Sequence, residues 1–346
     1  MNFVCPVPSE AYETVTLAHG GGGKVTHRLI QSLLVPAFDN PALAALHDGA
    51  VLPWDGEQLA FTTDSYVVRP RFFPGGNIGN LAVHGTVNDL AMCGARPVAL
   101  SLAFILEEGL PIAELRTIVE SVRDACALLD VPVVTGDTKV VERGHGDGVF
   151  INTSGVGVVA RNLEIAPQRV RPGDVVILSG PIAEHGVAIL SVREGLEFET
   201  RIESDTAPLW PVVERVLAAG GWDVHALRDA TRGGVASALN EIAEASSTGI
   251  VLDGAAIPVK DEVRGACELL GLDPLYIANE GRFVAFVAPE RAGRVLAAMR
   301  SEPVAREARV VGRVVNEHPG TVRMNLAFGG SRVVDMLSGE QLPRIC

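Results

Sequence analysis

Asp229-Ala230-Thr231-Arg232-Gly233-Gly234 is the stretch on which the fold turns. Two glycines close it, and Val235, Leu239 and Ile242 then recur at helical spacing, which predicts a helix from about Gly233 to Ser246. A glycine-rich helix start can approach a phosphate, and the positive end of the helix dipole favours an anion there. Asp229 reads equally well as a simple N-terminal cap. Further on, Asn279-Glu280-Gly281 precedes an apolar strand, Arg282 to Ala288. A glutamate in that place is either a base or a turn residue.

The rest of the chain alternates strand-like and helix-like segments in the same manner. Downstream of the turn signal Arg171-Pro172-Gly173-Asp174 the pattern predicts a buried strand at Val175 to Leu178. Helices follow near His185 to Arg193, Pro208 to Ala219 and Asp261 to Leu270, and a last helix–strand alternation closes at Val334. Upstream, an edge strand is expected at Tyr12 to Leu17, an amphipathic segment at Lys24 to Leu34, and strands at Leu59 to Val68 and Pro97 to Leu106. Strands are also expected at Val131 to Val134 and Gly148 to Ala160. Helices are expected at Asn77 to Met92, stopped by Gly94 and Pro97, and at Pro111 to Leu129. The fold class is mixed α/β in two lobes, divided between Arg161 and Gly173.

Length and composition agree with two domains: 346 residues, 47% of them apolar, supply ample cores. The net charge of −13 repels a polyanion, and aromatic residues are too few for a stacking surface, so nucleic acid is excluded as a partner. The same charge suits a nucleotide held through a metal ion. The longest apolar stretch, Pro97 to Leu106, is too short to span a bilayer, and no targeting segment is visible. Five widely spaced cysteines fit a reducing cytoplasm better than a disulfide framework, and no pair has zinc-ligand spacing.

Several motifs carry possible chemistry. Gly20-Gly21-Gly22-Gly23-Lys24 fails the Walker pattern, because Val25 follows the lysine where Ser or Thr is required. A glycine run still exposes N–H groups that cradle phosphate, or it is a plain loop. Asp64, in Thr62-Thr63-Asp64-Ser65-Tyr66, and Asp137, in Thr135-Gly136-Asp137-Thr138-Lys139, each follow an apolar run and sit near a strand end. With Asp89 they form a set of hard oxygen ligands suited to Mg2+, or they are ordinary turn and capping residues. Asn77, Asn80, His84 and Asn88 share one helix face, which looks toward a ligand, a subunit or solvent. Finally, Pro343-Arg344-Ile345-Cys346 puts a thiol at the last position. From Ser338 such a tail reaches on the order of 30 Å at full stretch.

Taken together, these motifs resemble the HypE family of hydrogenase maturation proteins, within the superfamily of aminoimidazole ribonucleotide synthetases. The resemblance covers nearly the whole chain. The superfamily match rests on the aspartates and glycines of Thr135 to Val141, Asp229 to Gly234 and Ala278 to Arg282. The choice of HypE rests on the last four residues. The resemblance implies a PurM-like homodimer paired through the sheets of its N-terminal lobes, with ATP in a cleft near that interface. It implies an N-terminal ATP-binding and dimerisation domain at 1–165, a C-terminal α/β domain at 166–337 and a flexible tail at 338–346. The matching magnesium and nucleotide residues are Asp64, Asn88, Asp89 and Asp137, with Asp229. Gly21, Gly22, Gly23 and Lys24 join them as phosphate-binding candidates. Lys139 and Glu280 match residues near the modified cysteine. HypF supplies the carbamoyl group, and a HypC–HypD complex receives the cyanide.

The activity so implied is an ATP-dependent dehydration of a carbamoyl group on Cys346 to a thiocyanate. Cys346 carries the group, Glu280 is the expected base and Lys139 the expected stabiliser of negative charge. Pro343 is expected to stiffen the tail and Arg344 to anchor it on a carboxylate. Two other readings stay open at this stage. One is a kinase or synthetase of the same fold acting on a free metabolite, such as a thiamine monophosphate kinase or a selenophosphate synthetase. The other is a non-catalytic scaffold that presents a thiol.

Overall fold

Burial with a period of two decides how the first sheet sits. The computed structural model describes residues 17–37, 46–54, 57–161, 163–196, 202–338, 342, 345 and 346. A short helix α1 (Lys24–Leu29) precedes strands β1 (Ala50–Trp54) and β2 (Glu57–Tyr66). A two-residue pair follows, β3 (Phe72–Phe73) with β4 (Gly76–Asn77), and then helix α2 (Ile78–Met92). Next come β5 (Ala95–Glu107), helix α3 (Ile112–Leu129), β6 (Val133–Val141) and β7 (Val149–Val159). Five strands form one sheet in the order β1-β2-β7-β5-β6. β5 and β6 run parallel, so the crossover helix α3 must join them; the other pairs are antiparallel.

In β2, Ala60, Thr62 and Tyr66 are buried against α2, whereas Phe61, Thr63 and Ser65 are exposed. The same parity puts Asp64 on the α2 side. Gly85 of α2 is required there, because a Cβ on it would lie 2.2 Å from the Tyr66 hydroxyl oxygen. The strand expected from Tyr12 falls outside the described residues, apart from Leu17, which begins a 3-10 turn. The strand expected at Val131 to Val134 begins at Val133 and runs on through the aspartate and lysine to Val141.

The second lobe contains β8 (Val175–Leu178), α4 (Glu184–Arg193), α5 (Trp210–Gly220), β9 (Val224–Asp229) and α6 (Gly234–Ser246). It continues with β10 (Gly249–Asp253), α7 (Asp261–Leu270), β11 (Phe283–Val287), α8 (Pro289–Arg300), β12 (Arg309–Val315), β13 (Val322–Asn325) and β14 (Ser331–Val334). The sheet order is β14-β13-β10-β12-β8-β11-β9. Phe283 to Val287 is buried throughout, as a central strand covered on both faces must be. Asp229 is not the cap of α6, which starts from Gly233 in a left-handed conformation (φ 77°). Asp229 instead ends β9.

The polar stripe of α2 is largely buried within the chain, at Asn77, His84 and Asn88. Asn77 and Asn80 form a capping box at the helix start. Asn88 joins the lobes: its Oδ1 accepts from Leu209 N at 2.7 Å, and its Nδ2 donates to Ala207 O at 3.0 Å and Glu280 O at 3.4 Å. One apolar cluster runs from Ala60, Leu90 and Met92 to Leu227, Phe283 and Val295, so the lobes share a core. Among the described residues no helix is long and apolar enough to cross a membrane.

Candidate active site

Where β2, α2 and β9 meet, a cavity of about 220 Å³ is lined by Asp48, Asp64, Tyr66, Asp89, Arg228, Asp229, Arg232, Glu280 and Cys346, among others. Its position follows from the fold: β2 and β9 each bring an aspartate at or near a strand end. α2 lays Asp89 alongside, where its Oδ2 accepts from Thr62 Oγ1 at 2.8 Å. Carboxylate oxygens of Asp48, Asp89 and Asp229 lie within 4.8 Å of one another. Burial pushes the Asp89 and Asp229 carboxyls well above the usual carboxylate range, and the neighbouring acids push them further. Asp64 is also raised by burial, which the Arg232 guanidinium and the Tyr66 hydroxyl oppose. The Tyr66 hydroxyl donates to Asp64 Oδ2 at 3.0 Å. Arg228, held between Asp48 and Glu241, brings the opposing positive charge.

Glu280 is fixed by its backbone and left free at its carboxyl. Its N–H donates to Asp205 Oδ1 at 3.0 Å, and its carbonyl accepts from Asn88. Gly281 allows this approach, since a Cβ there would lie 1.9 Å from Asp205 O. Asn279 ties the same loop down: its Oδ1 accepts from Ala183 N at 2.7 Å, and its Nδ2 donates to Ala230 O at 2.8 Å. Glu280 Oε1 is buried with no hydrogen-bond partner among the described residues. Burial, followed by the charges of Asp229, Asp205 and Asp64, holds its carboxyl well above the usual range. An orphaned buried carboxyl costs stability unless the site uses it.

The C-terminal thiol sits in the same cavity. Ile345 forms an antiparallel bridge with Val68, and Val67 N donates to Cys346 O at 3.0 Å. Burial pushes the Cys346 thiol up to about 12, although Arg232 pulls the other way. Arg232 is buried too, and the charges of Cys346, Asp64 and Glu280 hold it firmly protonated.

The structure brings together Asp64, Asp89, Asp229, Glu280 and Cys346 from the residues singled out in the sequence. It separates the others. Asp137 and Lys139 form an exposed ion pair of 2.9 Å on β6. β6 is the third neighbour of β2 in the sheet. At about 4.8 Å per strand, Asp137 stands about 14 Å from Asp64 and cannot share a metal with it inside one chain. Within one chain, of the expected metal set Asp64, Asp89 and Asp137, only Asp89 belongs to the close group of carboxylates, which it forms with Asp48 and Asp229. Asn88 spends its amide on the lobe interface and does not line the cavity. The glycine run is also engaged elsewhere: Gly21 N donates to Ala18 O, Gly22 N to Thr26 Oγ1, and Lys24 N to Leu337 O. Lys24 pairs with Asp335. The N–H groups of Gly21, Gly22 and Lys24 are thus used within the chain, and Gly22 packs against Arg232. Pro343 and Arg344 lie outside the described residues. Sequence reasoning missed Asp48, Arg228 and the site role of Arg232. Arg232 stood inside the motif that opens α6 and was read only as a helix start.

Known proteins of this architecture carry the same two lobes. The family models for AIR synthase related proteins match at residues 46–159 (N-terminal domain) and 171–325 (C-terminal domain). The carbamoyl dehydratase HypE of Cupriavidus necator is 55% identical over 333 residues, covering 96% of this chain and 95% of that protein. A solved HypE–HypF complex has a chain 44% identical with a TM-score of 0.85, covering 89% of this chain and 99% of that one. A HypE solved with ATP is 48% identical with a TM-score of 0.81, covering 96% and 100%. Identity of this depth over both lobes and nearly the whole length of each relative is membership rather than likeness of fold: the chain belongs to the HypE family of carbamoyl dehydratases, among the AIR synthase related proteins.

Proposed function

We propose that this chain uses ATP to dehydrate a carbamoyl group carried on Cys346, making the thiocyanate that supplies the cyanide ligand of nickel–iron hydrogenases. The observation that carries the reading is the shared cavity. The thiol of the last residue faces an unpartnered buried glutamate, an arginine and a cluster of acids. A scaffold that merely presents a thiol gains nothing by burying it there. A kinase for a free metabolite has no use for it.

The chemistry follows from the groups present. Hydroxide leaves poorly from S–C(=O)–NH2, so the carbonyl oxygen first attacks the γ-phosphorus of ATP and ADP departs. The nitrogen gives up one proton, leaving S–C(=NH)–O–phosphate. The second nitrogen proton then passes to a base, the C–O bond breaks, phosphate leaves and S–C≡N closes. Glu280 takes the part of that base in this reading, and its raised proton affinity makes it a stronger one than an exposed carboxylate. Arg232 is placed to offset the negative charge that develops at the phosphorylated oxygen.

Magnesium fits the acidic trio, because the crowded carboxylates of Asp89 and Asp229, both with raised proton affinity, stand beside Asp48, whose buried Oδ2 takes no hydrogen bond among the described residues, and together form a hard-oxygen site. Asp48, Asp89 and Asp229 would hold the ion, which would neutralise phosphate charge. Replacing Asp89 with Asn is expected to raise the magnesium concentration needed for ATP binding by about tenfold or more. ATP titrations at limiting magnesium check this, and an unchanged requirement removes Asp89 from the site.

The tail has a reason to leave as well as to dock. A thiol raised from 9.0 to about 12 holds about a thousandfold less thiolate at neutral pH. Loading therefore belongs to the undocked tail, at the carbamoyltransferase HypF, and a HypC–HypD pair is the acceptor after dehydration. The work divides as 1–165 for nucleotide and dimer, 166–337 for the catalytic loop and 338–346 for the carrier. A reducing cytoplasm suits a carrier thiol, and the cysteines among the described residues are free.

A homodimer is supported by the uncovered face of the first sheet, where Trp54 (66% exposed), Phe61 and Ile105 are apolar and exposed, and by the open edge strand β6. Pairing there would carry Asp137 and Lys139 toward a second copy. Sedimentation equilibrium separates one copy from two.

A further inference from the structure

Within the proposed reaction, on which this inference rests, one buried residue has no part in the chemistry and yet touches the carrier segment. His185, in the first turn of α4, is fully buried. Its Nε2 lies 2.6 Å from the Ile345 carbonyl and its Nδ1 lies 2.8 Å from Ser204 Oγ. We propose that His185 is a positioning residue: a latch whose ring N–H holds the C-terminal tail in the cavity, with Ser204 setting the ring so that the bond can form.

The Ile345 carbonyl fixes the direction of the latch, because it can only accept, so Nε2 must carry the hydrogen. Ser204 Oγ accepts from Thr206 N–H at 3.1 Å and turns its own hydrogen to Nδ1. A neutral imidazole that accepts at Nδ1 carries its hydrogen on Nε2, which then donates to Ile345 O. Ser204 is itself anchored, through N–H to Pro74 O at 2.8 Å. The edge of the ring packs on Phe73, with centroids 5.5 Å apart and planes at 89°. Among the described residues the docked end also has the Val67 N–H to Cys346 O bond, the bridge at Val68 and the apolar contacts of Leu342, Ile345 and Cys346. Loss of the His185 bond shifts the docked fraction. A tail that must enter for dehydration and leave for loading needs a hold of this moderate strength.

The test reads docking directly and needs neither ATP nor a carbamoyl donor. Iodoacetamide alkylation of the C-terminal peptide is followed by mass spectrometry in the full-length protein. His185→Phe keeps the ring volume and removes the N–H, and is expected to speed alkylation by about tenfold. His185→Gln retains a side-chain N–H donor and is expected to stay within about twofold of the unaltered protein. Should the phenylalanine variant not fold, Ser204→Ala leaves α4 intact, releases the ring, and is expected to give a rise of about threefold. With carbamoyl-loaded protein, His185→Phe is also expected to slow the ATP-dependent loss of water while the KM for ATP stays unchanged. Equal alkylation rates in the unaltered protein and in the folded variants overturn the latch. Faster alkylation in a protein that never loses water keeps the latch and overturns the reaction.

Discussion

Cys346→Ala gives a protein that folds and binds ATP but shows no mass change in the presence of carbamoyl donor, HypF and ATP. The unaltered chain first gains a carbamoyl group and then, only with ATP, loses one water. The expected effect is complete, because the reaction is built on that sulfur. Little else should change. Ile345 still bridges Val68 and packs among Tyr66, Phe73 and Ile78, so the tail keeps its anchor. The acidic trio is held by residues other than the thiol, through Thr62 on Asp89 and Arg228 on Asp48. Intact mass spectrometry decides the matter: a thiocyanate found on the alanine variant would mean that another residue is the carrier.

Glu280→Gln is expected to slow dehydration by about 10²–10⁴, the usual worth of a positioned general base. The amide is close in shape to the carboxyl, and the backbone bonds to Asp205 and Asn88 survive the change. Carbamoyl loading should continue, because it takes place outside the cavity. The pH profile adds a signature. A base must be deprotonated to act, so dehydration falls as pH drops through the folded-state value of Glu280. Burial and three neighbouring acids place that fall well above the ordinary glutamate range. The acid limb should vanish in the glutamine variant. Single-turnover measurements on preloaded protein separate this step from loading. Dehydration by the glutamine variant within about threefold of the unaltered rate would transfer the role of base to another group.

The sequence by itself determined the alternation of strands and helices, the division into two lobes and the end that carries the thiol. Those features are local. A helical stripe such as Val235, Leu239 and Ile242, or the exit of α3 ahead of Val131, is set by periodicity and by turn residues within a few positions. β9 went unread because six residues carrying a histidine, an arginine and an aspartate show no alternation, although they are buried from both sides. The motifs also put Glu280 and Asp229 forward, each beside a glycine or a strand end.

Only the tertiary structure decided which acids meet. Asp64 and Asp137 look alike as sequence motifs, each a lone aspartate among small polar residues at a strand, and Asp89 stands as a lone aspartate on a helix. Sheet order separates them: β6 is an outer strand three places from β2, so Asp137 faces outward, while Asp48 reaches the centre from a turn that carries no signal. The helix stripe from Asn77 to Asn88 could be read from the sequence as polar, but the partners of Asn88 belong to residues more than a hundred positions away. Burial follows the same rule. The proton affinities of Glu280 and Cys346 depend on how many charges and how little water surround them. That is a property of the cavity formed by both lobes, and no window of sequence contains both lobes.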